Sequence, residues 1–368
     1  MRNLSLGDNV QKEISIHLEE TEMLLAKAAS KASGKKQDAE IVLMPDLGLA
    51  NNIRRMFGGF YTGAFYQWSG NSPIVPVDAT INVCGVSVYK VSEQIDSEAE
   101  FRNRIEKARD QLDTYLWNFQ SGNHFITYGR VSTNSALPIG NYLVLHASAS
   151  EFKRQRDGLY PSHRSWFRGQ IESVSLDNGS IRQLRFIRGQ DADLFYEKAK
   201  LEDYNATRHR YIAQQMFGSG KVEAAIPYRS HYGMPDQNCV AIGCQWMIED
   251  GLFLLLTAPN QPLLLIETKA SNENLVTTNH SDYKLYPHGL GKTSNAALKI
   301  KYGKEDLIIN GSRQDADGSL EGDDRFSIRG SGDNLSEIVT KVLHKCPGRI
   351  TAQIMPIYSC SRYSISAG

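Results

Sequence analysis

The sequence has no charge imbalance, few cysteines and no long apolar run, and each shortage removes a class of function. Lysine plus arginine number 41, and aspartate plus glutamate also number 41. No global field therefore recruits nucleic acid or an acidic membrane, and a polyanionic partner has to be held by a local patch. Five cysteines in 368 residues do not make a disulfide framework and fit a reducing compartment. The N-terminal MRNLSLGDNVQKE lacks the apolar stretch of a signal peptide, and the most apolar segment, GLFLLLTAPNQPLLLI, is broken by Pro259 and Pro262. The expectation is a cytoplasmic protein with no membrane partner. Local metal motifs of the C-x-x-C and H-E-x-x-H type are missing as well. YPHGLGKTSN ends like a phosphate-binding loop, but G-x-x-x-x-G-K-[ST] needs a glycine where Tyr286 stands, and the residues before it are mostly polar.

What remains is an ordinary globular composition, 41% hydrophobic and 22% charged. Residues 10–33 carry a helical rhythm (Val10, Ile14, Ile16, Leu24, Leu25), and residues 97–119 and 192–217 read as further helices. EIVLMPDLG, SPIVPVDATINVCGVSVYKV, NYLVLHAS and RITAQIMPIYS read as strands, and LSEIVTKVLHK as a helix. In FGGFYTGAFYQWSGN glycines alternate with aromatics, which predicts a hairpin or a close backbone approach. No repeat or linker divides the chain, so one mixed α/β domain over residues 1–368 is expected.

Four histidines stand beside glycine or small residues: His124 in GNHF, His146 in VLHASAS, His231 in RSHYG and His288 in PHGLG; Cys84 in NVCGV is placed similarly. Imidazole and thiolate bind Mn²⁺, Zn²⁺ or Fe²⁺, and a thiolate sulfur can bridge two ions. Spacing alone does not separate such ligands from buried core histidines. Cys239 and Cys244 read as small core residues, and His163, His209, His280 and His344 as surface histidines.

Taken in order, these segments resemble the motifs of RtcB-type RNA ligases. LMPDLGLANN is similar to the family's MPD-V-H-x-G, IVPVDATINVCGVSVYKV to P-x-x-V-G-x-D-I-x-C-G, SGNHFI to G-G-N-H-F-I, LVLHASAS to LHSGSRG and PHGLGKTSN to HGAGRxxSR. The resemblance runs from about residue 40 to the C-terminus. It implies twisted sheets flanked by helices around a metal-binding cleft. It also implies a ligase that joins RNA 3′-phosphate or 2′,3′-cyclic phosphate ends to 5′-hydroxyl ends, with GTP and two Mn²⁺ ions. By the resemblance His288 is the nucleophile that takes up GMP. Cys84 is a bridging thiolate, His124, His146 and His231 complete the metal shells, and Asn123 contacts the GMP phosphate.

The chain departs from the pattern at several positions. The aspartate three residues before the metal cysteine is Ile81, so Asn82 or Asp78 would have to replace it through a bulge. Tyr232 stands where an asparagine usually follows the third metal histidine. The R-K-G-A-T segment is echoed by ETKAS with Lys269, Lys292 replaces the arginine of HGAGR, and Arg362 is the nearest cation to the usual terminal lysine. The pattern describes a shortened, divergent relative.

Residues 152–188 hold eight basic side chains (Lys153, Arg154, Arg156, Arg164, Arg168, Arg182, Arg185 and Arg188) against three acidic ones, interleaved with Tyr160, Trp166, Phe167 and Phe186. That mixture can grip phosphates and stack bases as an RNA surface does, and it equally describes a solvated face over core aromatics. Two other functions share the same metals: an RNA-end phosphodiesterase or phosphatase without GTP, and a non-catalytic RNA-end binder.

Overall fold

A computed structural model of the chain describes residues 1–113, 115–120, 122–133, 135–149, 165–177, 179–269, 271–316, 318–320, 325–332, 334–362 and 364–368. The fold is mixed α/β, as expected. Its largest sheet has eight strands. Their order is Val222–Ser230, Gly85–Val91, Gly140–Ala147, Phe125–Val131, Gly348–Ser361, Leu263–Thr268 and Leu252–Leu255, with Ser364–Ala367 folded back on Gly348–Ser361. All neighbours are antiparallel.

The register decides what meets at one end of this sheet. Gly85 lies opposite both Ala147 and Ser230, and Phe125 lies opposite His146. Antiparallel strands alternate direction. The residues just before Gly85 and Phe125, the end of Gly140–Ala147 and the residue after Ser230 therefore emerge side by side.

A second sheet of five strands runs Arg2–Asn3, Ala39–Gly48, Thr62–Trp68, Cys239–Ile242 and Tyr232–Gly233. In Ala39–Gly48 the two faces feed two cores, as the twofold alternation of a strand requires. Ile41 and Leu43 pack with the helix Asn9–Ser33, whereas Val42 and Met44 pack with Val339 and Val342 of the helix Leu335–Lys345.

The helix Asn9–Ser33 starts where the Asp8 side chain accepts the Gln11 N–H at 2.9 Å, and it stops at Gly34, whose φ of 69° is left-handed. Its buried stripe is Val10, Ile14, Leu18, Leu24, Leu25 and Ala28, while Ile16, counted in the apolar rhythm, is 63% exposed. Gln11 is buried on the same stripe. Its amide donates to Pro45 O (2.8 Å) and Leu47 O (3.2 Å), where the pairing of Ala39–Gly48 with Thr62–Trp68 shifts register. The helix thus clasps both carbonyls flanking Asp46.

Several predicted elements are shorter or broken. The long strand expected through residues 73–91 is a strand Ile74–Pro76, a single 3₁₀ turn Val77–Ala79, an irregular link and then Gly85–Val91. Thr80 (φ 48°) and Val83 (φ 50°) are left-handed in that link. The helix expected over 97–119 covers only Glu98–Asp110. Tertiary hydrogen bonds take over beyond it: the Asn118 amide donates to Ser148 Oγ (2.9 Å), and Phe119 O accepts the Arg362 N–H (3.0 Å). The helix expected over 192–217 divides into Gln190–Ala199 and Glu202–Phe217, because Lys200 leaves helical dihedrals. Among the described residues no helix is long and apolar enough to cross a membrane.

Candidate active site

Cys84 precedes Gly85, His124 precedes Phe125, His146 closes Gly140–Ala147 and His231 follows Ser230, so the antiparallel register gathers all four. His231 N–H is fastened to Cys84 O at 2.9 Å. Cys84 Sγ lies 3.3 Å from His146 Nε2 and 3.5 Å from His124 Nε2, and His146 Nε2 lies 3.2 Å from His231 Nε2. All four residues are buried.

The donor set fits a metal ion. His124 Nδ1 donates to Asn118 O and His146 Nδ1 to Asn123 O, each at 2.9 Å, which leaves both Nε2 atoms as lone pairs facing the same sulfur. Converging lone pairs repel unless a cation lies between them. A tetrahedral centre with bonds of roughly 2.0–2.3 Å has donor-to-donor edges of about 3.3–3.8 Å, close to the spacings here. Cys84, His146 and His231 form a buried cluster able to hold a metal ion. Burial, reinforced by the neighbouring His288 imidazole, pulls the His146 pKa down to about 3 against the Asn123 carbonyl. Burial likewise lowers His231 well below the usual histidine range, with the neighbouring imidazoles of His288, His146 and His124 adding to it. Neutral imidazole is the metal-binding form.

His288 sits beside this cluster, its ring 4.6 Å from that of His231. It follows the strand Asp282–Pro287. Its carbonyl accepts the Leu256 N–H at 3.0 Å. Its Nδ1 donates to Asp46 Oδ2 (2.6 Å) and Gly243 O (2.8 Å). Both partners only accept, so Nδ1 carries a proton, and Nε2 is the ring nitrogen that these two bonds leave. The ring is fitted tightly: Gly243 has φ of 65°, and a Cβ there would stand 2.5 Å from Thr62 Cγ2 and 3.1 Å from His288 Cε1. By the resemblance, the glycines around His288 would let the backbone approach a nucleotide closely. Gly291 (φ 68°) instead presses against Asp46 O and Arg329 Nη1, so its missing side chain serves the protein's own packing.

A cleft of about 1480 Å³ joins the cluster to His288. Asn82, Asn123, Lys292 and Arg362 line it. Lys292 Nζ donates to Asn51 Oδ1 at 2.7 Å, and Arg362 Nε to Gly122 O at 3.2 Å. Asn82 Oδ1 accepts the Cys84 N–H at 3.2 Å, so it shapes the turn that presents the thiol.

Two sequence-predicted site residues are not brought here. Lys269 is exposed after Thr268, at the far end of a strand whose Leu263 lines the cleft. Six residues of strand put it about 20 Å away. Asp78 was to serve as a metal ligand through a bulge, but the 3₁₀ turn directs its carboxylate into a two-point ion pair with Arg185. Only part of the proposed RNA stretch is described. Lys153, Arg154, Arg156, Tyr160 and Arg164 lie outside the described residues. Arg182 pairs with Glu20 and Thr21, Arg185 with Asp78 and Arg188 with Glu172, and Phe167 and Phe186 are core. Cys239 and Cys244 are core residues as read, whereas His209 is fully buried against Ser87 Oγ (3.0 Å) rather than on the surface.

Asp46 is the residue whose role the residue types did not announce. Its local signals were a carboxylate ending an apolar run and the MPD of LMPDLGLANN, and its partner is 242 positions away. Comparison with known protein families and with curated proteins finds no match to this chain.

Proposed function

We propose that the chain is a metal-dependent RNA ligase that works through a nucleotidyl-histidine at His288. The observation that carries this reading is the hydrogen bonding of His288: Asp46 and Gly243 O engage Nδ1, which leaves Nε2 to act as the nucleophile beside a metal-binding cluster. A lone pair presented this way needs no base to activate it. In the first step Nε2 bonds to the α-phosphorus of GTP and the bond to pyrophosphate breaks. Asp46 offsets the positive charge that develops on the ring. In the second step an oxygen of the RNA 3′-phosphate takes the GMP, breaking the N–P bond and restoring His288. The 5′-hydroxyl then attacks the activated 3′-phosphorus, GMP leaves and the hydroxyl proton passes to solvent. A 2′,3′-cyclic end enters after water opens it to the 3′-phosphate.

Cys84, His124, His146 and His231 would hold Mn²⁺, which when bound supplies positive charge against the phosphate oxygens. Lys292 and Arg362 add fixed cations to the cleft wall. The test is joining of two oligoribonucleotides, one ending in 3′-phosphate and one beginning with 5′-hydroxyl. Joining is expected with Mn²⁺ and GTP together and should vanish when chelator removes the metal or either component is left out. Release of inorganic phosphate without joining would replace the ligase with a phosphatase.

A further inference from the structure

Resting on that reading, we infer that the mouth of the cleft at Trp117 and Arg362 grips the single-stranded end of the RNA substrate. Trp117 is half-buried, lines the cleft and packs on Phe119 at 4.9 Å between ring centroids. Arg362 is tied to the same segment twice, through its backbone N–H to Phe119 O (3.0 Å) and its Nε to Gly122 O (3.2 Å). It sits at the turn of the hairpin formed by Gly348–Ser361 and Ser364–Ala367 with φ of 48°, a conformation unusual for a residue with a side chain. The hairpin sets hydroxyls beside it in cross-strand pairs, Ser359 opposite Ser366 and Ser361 opposite Ser364, and all four line the cleft.

An indole face, a guanidinium and a row of hydroxyls are complementary to a base, a phosphate and ribose hydroxyls. The same segment carries the Asn118 carbonyl that orients His124. A strand held at this mouth therefore leads its terminal phosphate toward the cluster. In the basic stretch over residues 165–188, Arg182, Arg185 and Arg188 already pair with Glu20, Asp78 and Glu172.

The test uses a fluorescein-labelled 3′-phosphate oligoribonucleotide, with anisotropy read across a salt series. Trp117→Ala should weaken binding about tenfold at every salt concentration. Arg362→Ala should weaken it and flatten the dependence of log affinity on log salt by about 0.7, the loss of one phosphate contact. Because the variants disturb a packed segment, wild-type protein is also crosslinked to 4-thiouridine RNA, with adducts expected at residues 115–124 and 359–366. Adducts confined to residues 165–188, or variants that bind as wild type does while the wild type still joins RNA, would overturn this mouth but leave the ligase reading intact. A wild type that neither binds nor joins RNA would overturn both.

Discussion

A histidine is a nucleophile only at the ring nitrogen that lacks a proton, so the question at the scale of one residue is what holds the other nitrogen. Here it is Asp46, at 2.6 Å, with Gly243 O at 2.8 Å behind it. Both stabilise the Nδ1–H tautomer, but only the carboxylate would also answer the charge that the proposed nucleotidyl transfer leaves on the ring. Asp46→Asn keeps an acceptor of the same shape and removes that charge. It is expected to slow the single-turnover formation of nucleotidyl-His288 about a hundredfold, with metal affinity unchanged. A rate equal to the wild type would reduce the contact to a structural one. Asp46 Oδ1 has no hydrogen-bond partner among the described residues, so an oxygen of this buried carboxylate is reserved from ordinary pairing.

At the scale of elements, the first turn of the helix Asn9–Ser33 supports both halves of the His288–Asp46 pair. Gln11 holds the carbonyls on either side of Asp46. Asp8 accepts from Arg329 Nε (2.6 Å) and Thr293 Oγ1 (2.9 Å), while Arg329 Nη1 donates to Leu290 O (3.1 Å), two residues beyond His288. Partial burial tends to raise the Asp8 pKa, but the hydrogen bond and charge of Arg329, with Gln11 N–H and Thr293, outweigh it and leave the group below its usual value. A depressed carboxylate contributes stability that is complete above its unfolded pKa, about 3.9, and fades as pH falls through the folded value. Asp8→Ala is therefore expected to cost about 1–2 kcal/mol near pH 7 and less near pH 3, below the unfolded pKa. Urea unfolding of both proteins at the two pH values checks this, and an equal loss at both would contradict it.

At the scale of the whole molecule, what the sequence made legible was local: the first helix, most strand cores, and the five side chains Cys84, His124, His146, His231 and His288. Glycine and small-residue neighbours marked where strands would end, and antiparallel pairing brought those ends together. What stayed hidden depends on contacts between distant segments. Asp78 met Arg185 instead of a metal, and Asn118 was pulled out of a helical pattern by Ser148. Arg182, Arg185 and Arg188 each meet an acidic side chain, Glu20, Asp78 and Glu172. No periodicity encodes such partners. The account as a whole stands on His288 acting chemically, and the most direct measurement incubates the protein with Mn²⁺ and α-labelled GTP or ATP. It predicts an acid-labile, alkali-stable covalent label that maps to His288 and is absent from His288→Ala. No label with either nucleotide, or one that survives the substitution, would contradict it.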